Sequence, residues 1–229
     1  MKDYVSGERE TIEVETAGRV WKIERTADLE TLWDEIGEDD FGDDERLPYW
    51  AELWPASVLL GEWLYRNVER IKGRKCLDLG CGLGLTAIVG QSLGAEVVAF
   101  DYELPPLYFA KDNAITNMTS QPLWLQMDWR EPSLAPHSFD FIWGGDILYE
   151  KRFFDPLEQL FRQALKPGGT IWMAEPVRDV SVPVWEKLES LGWKTSLPLT
   201  EKAACCSAEM TVNIREVVPG KSNMIVTEV

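Results

Sequence analysis

A chain of 229 residues that is 45% hydrophobic has room for one α/β domain with a sizeable core and an N-terminal appendage, and it is globular rather than disordered in composition. Its 39 acidic and 23 basic side chains leave a net charge of −16. That balance opposes non-specific nucleic-acid binding, where Lys and Arg must neutralise phosphates; it favours a basic partner or substrate segment, or serves solubility alone. No apolar run approaches the roughly 20 residues needed to cross a bilayer. The opening MKDYVSGERE carries no signal-peptide pattern, so no membrane association is expected and the expected location is cytoplasmic.

Residues 9–26 read as a hairpin, alternating from Thr11 to Thr16, turning at Ala17-Gly18 and alternating back from Arg19 to Glu24. A short helix over 28–36 and an acidic loop from Gly37 to Arg46 follow. The loop reads either as a solvated run or as a segment that orders when a ligand arrives. Residues 1–46 are thus expected to be an extension ahead of a domain over 47–229. Pro55 opens a helix predicted to reach Asn67. Tyr49, Trp50 and Trp54 crowd its approach, either as a hydrophobic staple or as an aromatic wall beside a ligand.

From Lys75, strands and helices alternate on short connections. The pattern predicts strand 75–80, helix 84–93, strand 96–100, helix 104–117, strand 122–127, strand 139–143 and helix 153–165. A Lys166-Pro167-Gly168-Gly169 turn, strand 170–174 and helix 180–190 complete the series. Such alternation implies a parallel sheet with helices on both faces. The tail is strand-like over 193–197, 211–218 and 224–228, which fits a terminal antiparallel pair. No repeat or second core is evident.

Cys76, Cys81, Cys205 and Cys206 show no metal-ligand spacing and read as reduced thiols. The only histidine, His137, falls in a proline-flanked loop and is expected to be exposed, so neither a multi-histidine metal site nor a histidine-based triad is expected.

The chemistry gathers around Leu77-Asp78-Leu79-Gly80-Cys81-Gly82-Leu83-Gly84. Here an apolar strand passes an acid and three alternating glycines before entering an apolar helix. Such a turn lets backbone approach a nucleotide-like ligand. The spacing is GxGxG, and Leu85 stands where a dinucleotide-binding GxGxxG needs its last glycine, so a diphosphate is not the expected ligand. A carboxylate at position 78 suits a cationic amine instead. Three further acids close strands: Asp101, Asp128 and Asp146. In open α/β sheets ligands sit beyond those strand ends. Asp101, about twenty residues after the glycines, stands where an acid grips ribose hydroxyls, a contact that a nicotinamide cofactor would share. Asp128 could accept from an adenine amino group, and Trp129 reads either as a cover for an aromatic ring or as core.

The motif LDLGCGLG resembles the first motif of the class I, seven-strand S-adenosylmethionine-dependent methyltransferases. With AFDYE, MDW and GGDILYE following in order, the chain resembles their protein-lysine methyltransferase group, whose acid-x-x-aromatic motif is matched by Asp146-Ile147-Leu148-Tyr149. The upstream LPYWAELWP is similar to the branch containing the lysine methyltransferase of the electron-transfer-flavoprotein β subunit. This resemblance covers residues 47–176. It implies a Rossmann-like, doubly wound sheet of seven strands, mostly parallel with an antiparallel C-terminal strand. It further implies S-adenosylmethionine as cofactor and a protein substrate presenting a lysine. By the same resemblance Gly80, Cys81, Gly82 and Gly84 line the cofactor, Asp78 lies near its methionine end and Asp101 and Tyr102 near its ribose. Asp128 and Trp129 would bind adenine, Gly144 would border the cofactor and Trp54 would close over the sulfonium. Asp146 and Tyr149 would line the acceptor channel. Alternatives left open are N-methylation of a small amine or heterocycle, and a non-catalytic cofactor-binding module.

Overall fold

The computed structural model describes residues 8–34, 47–117, 120–206 and 208–220. Strands β1 (Arg9–Thr16) and β2 (Arg19–Thr26) pair antiparallel from Arg9↔Thr26 to Thr16↔Arg19. Their two-residue turn places both Ala17 and Gly18 at positive φ, the twist that short hairpins require. Helix α1 (Leu29–Asp34) follows. The last two residues predicted for that helix, the acidic loop up to Arg46 and the strand expected at 224–228 all lie outside the described residues.

Helix α2 (Pro55–Arg66) and the short α3 (Val68–Ile71) lead into the alternating region. This runs β3 (Lys75–Leu79), α4 (Leu85–Ser92), β4 (Glu96–Asp101), α5 (Leu104–Asn117), β5 (Leu123–Gln126), β6 (Phe139–Gly145) and α6 (Phe154–Ala164). It ends with β7 (Leu165–Pro176), α7 (Val182–Ser190), β8 (Trp193–Cys205) and β9 (Ala208–Pro219). Seven strands form one sheet in the order β5-β4-β3-β6-β7-β9-β8. The pairs from β5 to β7 are parallel, whereas β9 is antiparallel to both neighbours. This is the expected doubly wound α/β sheet with its reversed C-terminal strand.

Most strand bounds move by one to three residues, and two strands, β7 and β8, run well beyond expectation. The Lys166–Gly169 turn is absorbed into β7 as an irregularity, where the register moves from Phe139↔Leu165 to Phe141↔Thr170. Gly169 permits it, because a Cβ there would lie 2.7 Å from Leu165 Cδ1. Strand β8 continues to Cys205 instead of ending at Leu197. Its ladder breaks between Ser196 and Leu199, around Pro198, then resumes, as an edge strand can.

Period-2 alternation divides the sheet's side chains between two cores. Cys76, Phe141, Trp143 and Trp172 join the cluster that includes α2, α4, α5 and the hairpin residues Trp21 and Ile23. Leu77, Leu79, Ile142, Ile171 and Met173 face the other way, onto α6 and α7. The hairpin is joined to α5 by two amides one helical turn apart. Asn113 Oδ1 accepts the Glu24 N–H (2.7 Å), and its Nδ2 donates to Glu24 O (3.1 Å) and to Leu83 O in the glycine turn (3.0 Å). Asn117 pairs with both backbone groups of Lys22, at 3.0 and 2.6 Å. Together they imitate a neighbouring strand along the open edge of β2. All four cysteines are free, and His137 is exposed, its Nδ1 2.9 Å from Leu165 O. Among the described residues no helix is long and apolar enough to cross a membrane.

Candidate active site

Beyond the carboxyl ends of β3, β4, β5 and β6 lies a cleft whose empty volume, open mouth included, is about 1070 Å³. Its floor is the glycine turn. Gly80 (φ 60°) and Gly82 (φ 49°) hold left-handed conformations, and a Cβ on Gly80 would meet Ile147 and Trp129, both of which line the cleft. Asp101, at the end of β4, anchors this turn. Its Oδ2 accepts the Gly82 N–H (2.9 Å) and its Oδ1 the Glu103 N–H (3.1 Å). Burial pushes the Asp101 carboxyl up to about 6, against the stabilising pull of those N–H groups. The Tyr102 N–H also draws on this carboxylate, which still keeps acceptor capacity for a ligand hydroxyl.

Of the residues expected at the cofactor, the structure brings Trp54, Gly80, Cys81, Gly82, Asp101, Tyr102, Asp128 and Trp129 to this cleft. Burial raises the Cys81 thiol well above its usual range, so it lines the cleft as a neutral, apolar group. Asp128 is held by Arg130, whose guanidinium lies 2.6 Å from Oδ2 and whose backbone N–H donates to Oδ1 (2.8 Å).

Three expected residues fall elsewhere. Asp78 is 1% exposed beneath the turn, with its Oδ2 accepting from the Thr86 hydroxyl in α4 (2.6 Å). The indole N–H of Trp143, its register partner on β6, joins Thr86 in favouring the ionised form, but the enclosure of the carboxyl outweighs both. Burial accordingly pushes the Asp78 carboxyl up to about 7. Gly84, the N-cap of α4, is turned to α5: a Cβ there would lie 2.7 Å from Ala110 Cβ. Gly144 faces Ile147 and Leu79, and the lining position belongs to Gly145, where a Cβ would press on Ser57 at the start of α2. Strand alternation sends Gly144 and Gly145 to opposite sides.

On the far side, Asp146 and Tyr149 border the same space. Asp146 leaves β6 at φ 56°, a conformation unusual for a residue with a side chain, and its N–H donates to Ala174 O (2.7 Å). Its carboxylate, 9% exposed, is paired with Arg178 from the segment after β7. Burial raises the Asp146 carboxyl and Arg178 opposes that rise. The Tyr149 phenol is pushed far above its usual range by burial and stays neutral.

An unbroken row of aromatic edges spans the cleft. Trp54 meets Tyr49 (6.3 Å between centroids), Tyr49 meets Tyr149 (5.4 Å), Tyr149 meets Phe153 (5.4 Å) and Phe153 meets Trp129 (5.0 Å). The Trp54 indole N–H fixes one end by donating to Tyr49 O (2.9 Å). Tyr49 carried a sequence signal as one of the crowded aromatics, whereas Phe153 and Arg178 carried none.

Residues 43–183 match a family model described as lysine methyltransferase. Over 133 residues the chain is 35% identical to the electron transfer flavoprotein beta subunit lysine methyltransferase of Danio rerio, covering 57% of this chain and 51% of that protein. Over 134 residues it is 34% identical to the protein N-lysine methyltransferase METTL21A of Mus musculus, covering 56% and 61%. It therefore spans between half and two thirds of the length of these curated relatives. The solved structure of magnesium protoporphyrin IX methyltransferase from Synechocystis PCC 6803 with bound SAM superposes with a TM-score of 0.58 at 17% identity, covering 83% of this chain and 90% of that one, a likeness of fold. Family and fold together imply S-adenosylmethionine as the cofactor. The chain belongs to the lysine methyltransferase family.

Proposed function

We propose that this protein transfers a methyl group from S-adenosylmethionine to the side-chain amine of a lysine in a protein partner. The observation that carries this is the continuity of the cleft, which has the glycine turn and Asp101 on one side and Asp146 with Tyr149 on the other. The residues fit the cofactor. Glycine backbone is open at the floor, Asp101 retains acceptor capacity toward hydroxyls, and Trp129 and Tyr102 offer aromatic faces beside Asp128. Trp54 with Tyr49 would close the cleft from the N-terminal side. Asp78 would act from beneath, holding the turn to α4 through Thr86. We also assign residues 47–229 to the transferase domain and 1–46 to an extension, with the hairpin packed into the domain's core.

Once bound, S-adenosylmethionine supplies an activated methyl, so the protein's part is to place an amine in line and receive it uncharged. A lysine amine, with a pKa of about 10.4 in water, must lose a proton first. Asp146 orients it, Tyr149 and Tyr49 wall it, and solvent takes the proton. The net charge of −16 favours a basic stretch of the partner around the target.

The test is incubation with radiolabelled S-adenosylmethionine and a cell extract. Label in a discrete band that protease removes and nuclease does not is the expected result. Label confined to small molecules would favour a small-amine acceptor, and measurable cofactor binding without transfer to any fraction would overturn the assignment.

A further inference from the structure

The carboxylate assigned to the acceptor already has a cation. Asp146 is nearly enclosed, its backbone is fixed by the bond to Ala174 O, and Arg178 reaches it across 32 residues of sequence. Arg178 is itself braced, since its carbonyl accepts from the Ser181 hydroxyl (3.1 Å) and the preceding Val177 N–H donates to Thr211 O on β9 (2.9 Å). Behind it Glu175, 3% exposed, is bonded by Arg215 of β9 at 3.3 Å. The charged groups acting on Asp146 are therefore Arg178 and Glu175. The segment after β6 contributes the neutral Tyr149, and α2 contributes the uncharged Ser57; Glu52 lies further along the same cleft.

A lone carboxylate would serve the proposed reaction poorly. It attracts an ammonium but also stabilises it, which delays the proton loss that the nucleophile needs. A carboxylate already matched by a guanidinium accepts a hydrogen bond from an amine without adding a net negative charge beside it. Accepting the lysine reading above, we propose that Arg178 is a positioning residue for methyl transfer, holding the Asp146 carboxylate ionised and aimed at the cleft while cancelling its charge toward the acceptor amine. Arg178 touches neither donor nor acceptor in this role. It acts through Asp146.

Two measurements on the full chain decide this. First, the Asp146 carboxyl is titrated by carbon NMR with labelled aspartate, using Asp146→Asn to assign the signal. In Arg178→Met its midpoint is expected to rise by about 1–3 pH units, the usual effect of an adjacent guanidinium lost, and Arg178→Lys is expected to restore most of it. An unmoved midpoint overturns the proposal, and this readout needs no acceptor. Second, transfer to the labelled extract band is followed against pH with donor affinity measured in parallel. In Arg178→Met the acidic limb should shift upward with the carboxyl while the donor dissociation constant stays within about twofold, less than 0.5 kcal/mol. A limb that stays put, or donor affinity that falls in step with transfer, also overturns it. If wild type labels no protein at any pH, the lysine reading fails, and the carboxyl titration still decides whether Arg178 controls Asp146.

Discussion

Asn113, on α5, hydrogen-bonds the N-terminal hairpin to the glycine turn that floors the cleft. It is fully buried and its amide makes three long-range hydrogen bonds, two to Glu24 and one to Leu83 O, on a residue that lines the cleft. Replacement by Ala removes all three and strands buried backbone groups. At about 1 kcal/mol per bond the expected loss of stability is about 3 kcal/mol. The bond to Leu83 alone, at about 1 kcal/mol, corresponds to a roughly fivefold weaker hold on the donor if the turn relaxes when released. Asn117 supplies the control. It fastens the same hairpin through Lys22, sends its other hydrogen bond to Asn113 O within α5 (2.8 Å) and is only partly buried, so Asn117→Ala should cost about 1 kcal/mol. Urea unfolding gives the stabilities, and calorimetric titration with S-adenosylmethionine, well below either transition, gives the affinities. Asn113→Ala should lower both and Asn117→Ala only the first. Equal affinities in the two variants would refute the coupling of hairpin to turn.

Further outcomes follow from other residues. Gly84→Ala adds a Cβ 2.7 Å from that of Ala110 at φ 87°, and should destabilise by about 2–4 kcal/mol. Gly73→Ala, at φ 70° but with open space around it, should cost about 1 kcal/mol, so similar urea midpoints for the two would contradict the packing account. Burial raises the folded-state carboxyls of Asp78 to about 7 and Asp101 to about 6. Their contribution to stability is thus complete below their unfolded value of about 4 and is lost as pH climbs through 6 to 7. Asp78→Asn should flatten that decline, and midpoints that differ from wild type by a constant between pH 4 and 8 would count against it. Asp146→Ala should retain donor binding and lose transfer by about 100-fold or more. Collapse of cofactor affinity in that variant would place Asp146 on the donor side instead.

The sequence made the elements legible where hydrophobic period and punctuation agreed. Helix 104–117 is found with the predicted bounds, and the three glycines announced the turn that underlies the cleft. What escaped was side-chain direction at strand ends. Asp78 and Asp101 both close apolar runs beside the glycine turn, yet Asp78 points under it to Thr86 while Asp101 reaches the cleft. Gly144 and Gly145 are indistinguishable until the pleat of β6 is known. Strand β8 runs past the expected Leu197 because an edge strand tolerates Pro198 and carries the polar Thr200, Glu201 and Lys202. Arg178 had no local signal, since its partner lies 32 residues earlier.

The position of β9 has a consequence for how the protein comes into being. It is last of the seven strands in the chain but lies between β7 and β8 in space. As a nascent chain emerges, the glycine turn, Asp101 and Trp129 have all been synthesised by residue 129, and β3, β4 and β5 can already pair. Arg215, the partner of Glu175, and Thr211, which fixes the approach to Arg178, arrive some eighty residues later. Until then β7 presents an unpaired edge carrying Ile171, Trp172 and Met173, the kind of surface through which growing chains aggregate. Vectorial synthesis therefore completes the glycine turn and the strands beside it first, adds Asp146 and Tyr149 next, and leaves only the bracing of Glu175 and of the approach to Arg178 to the closing strand, so the nascent chain with an open β7 edge is the species expected to be most exposed to aggregation.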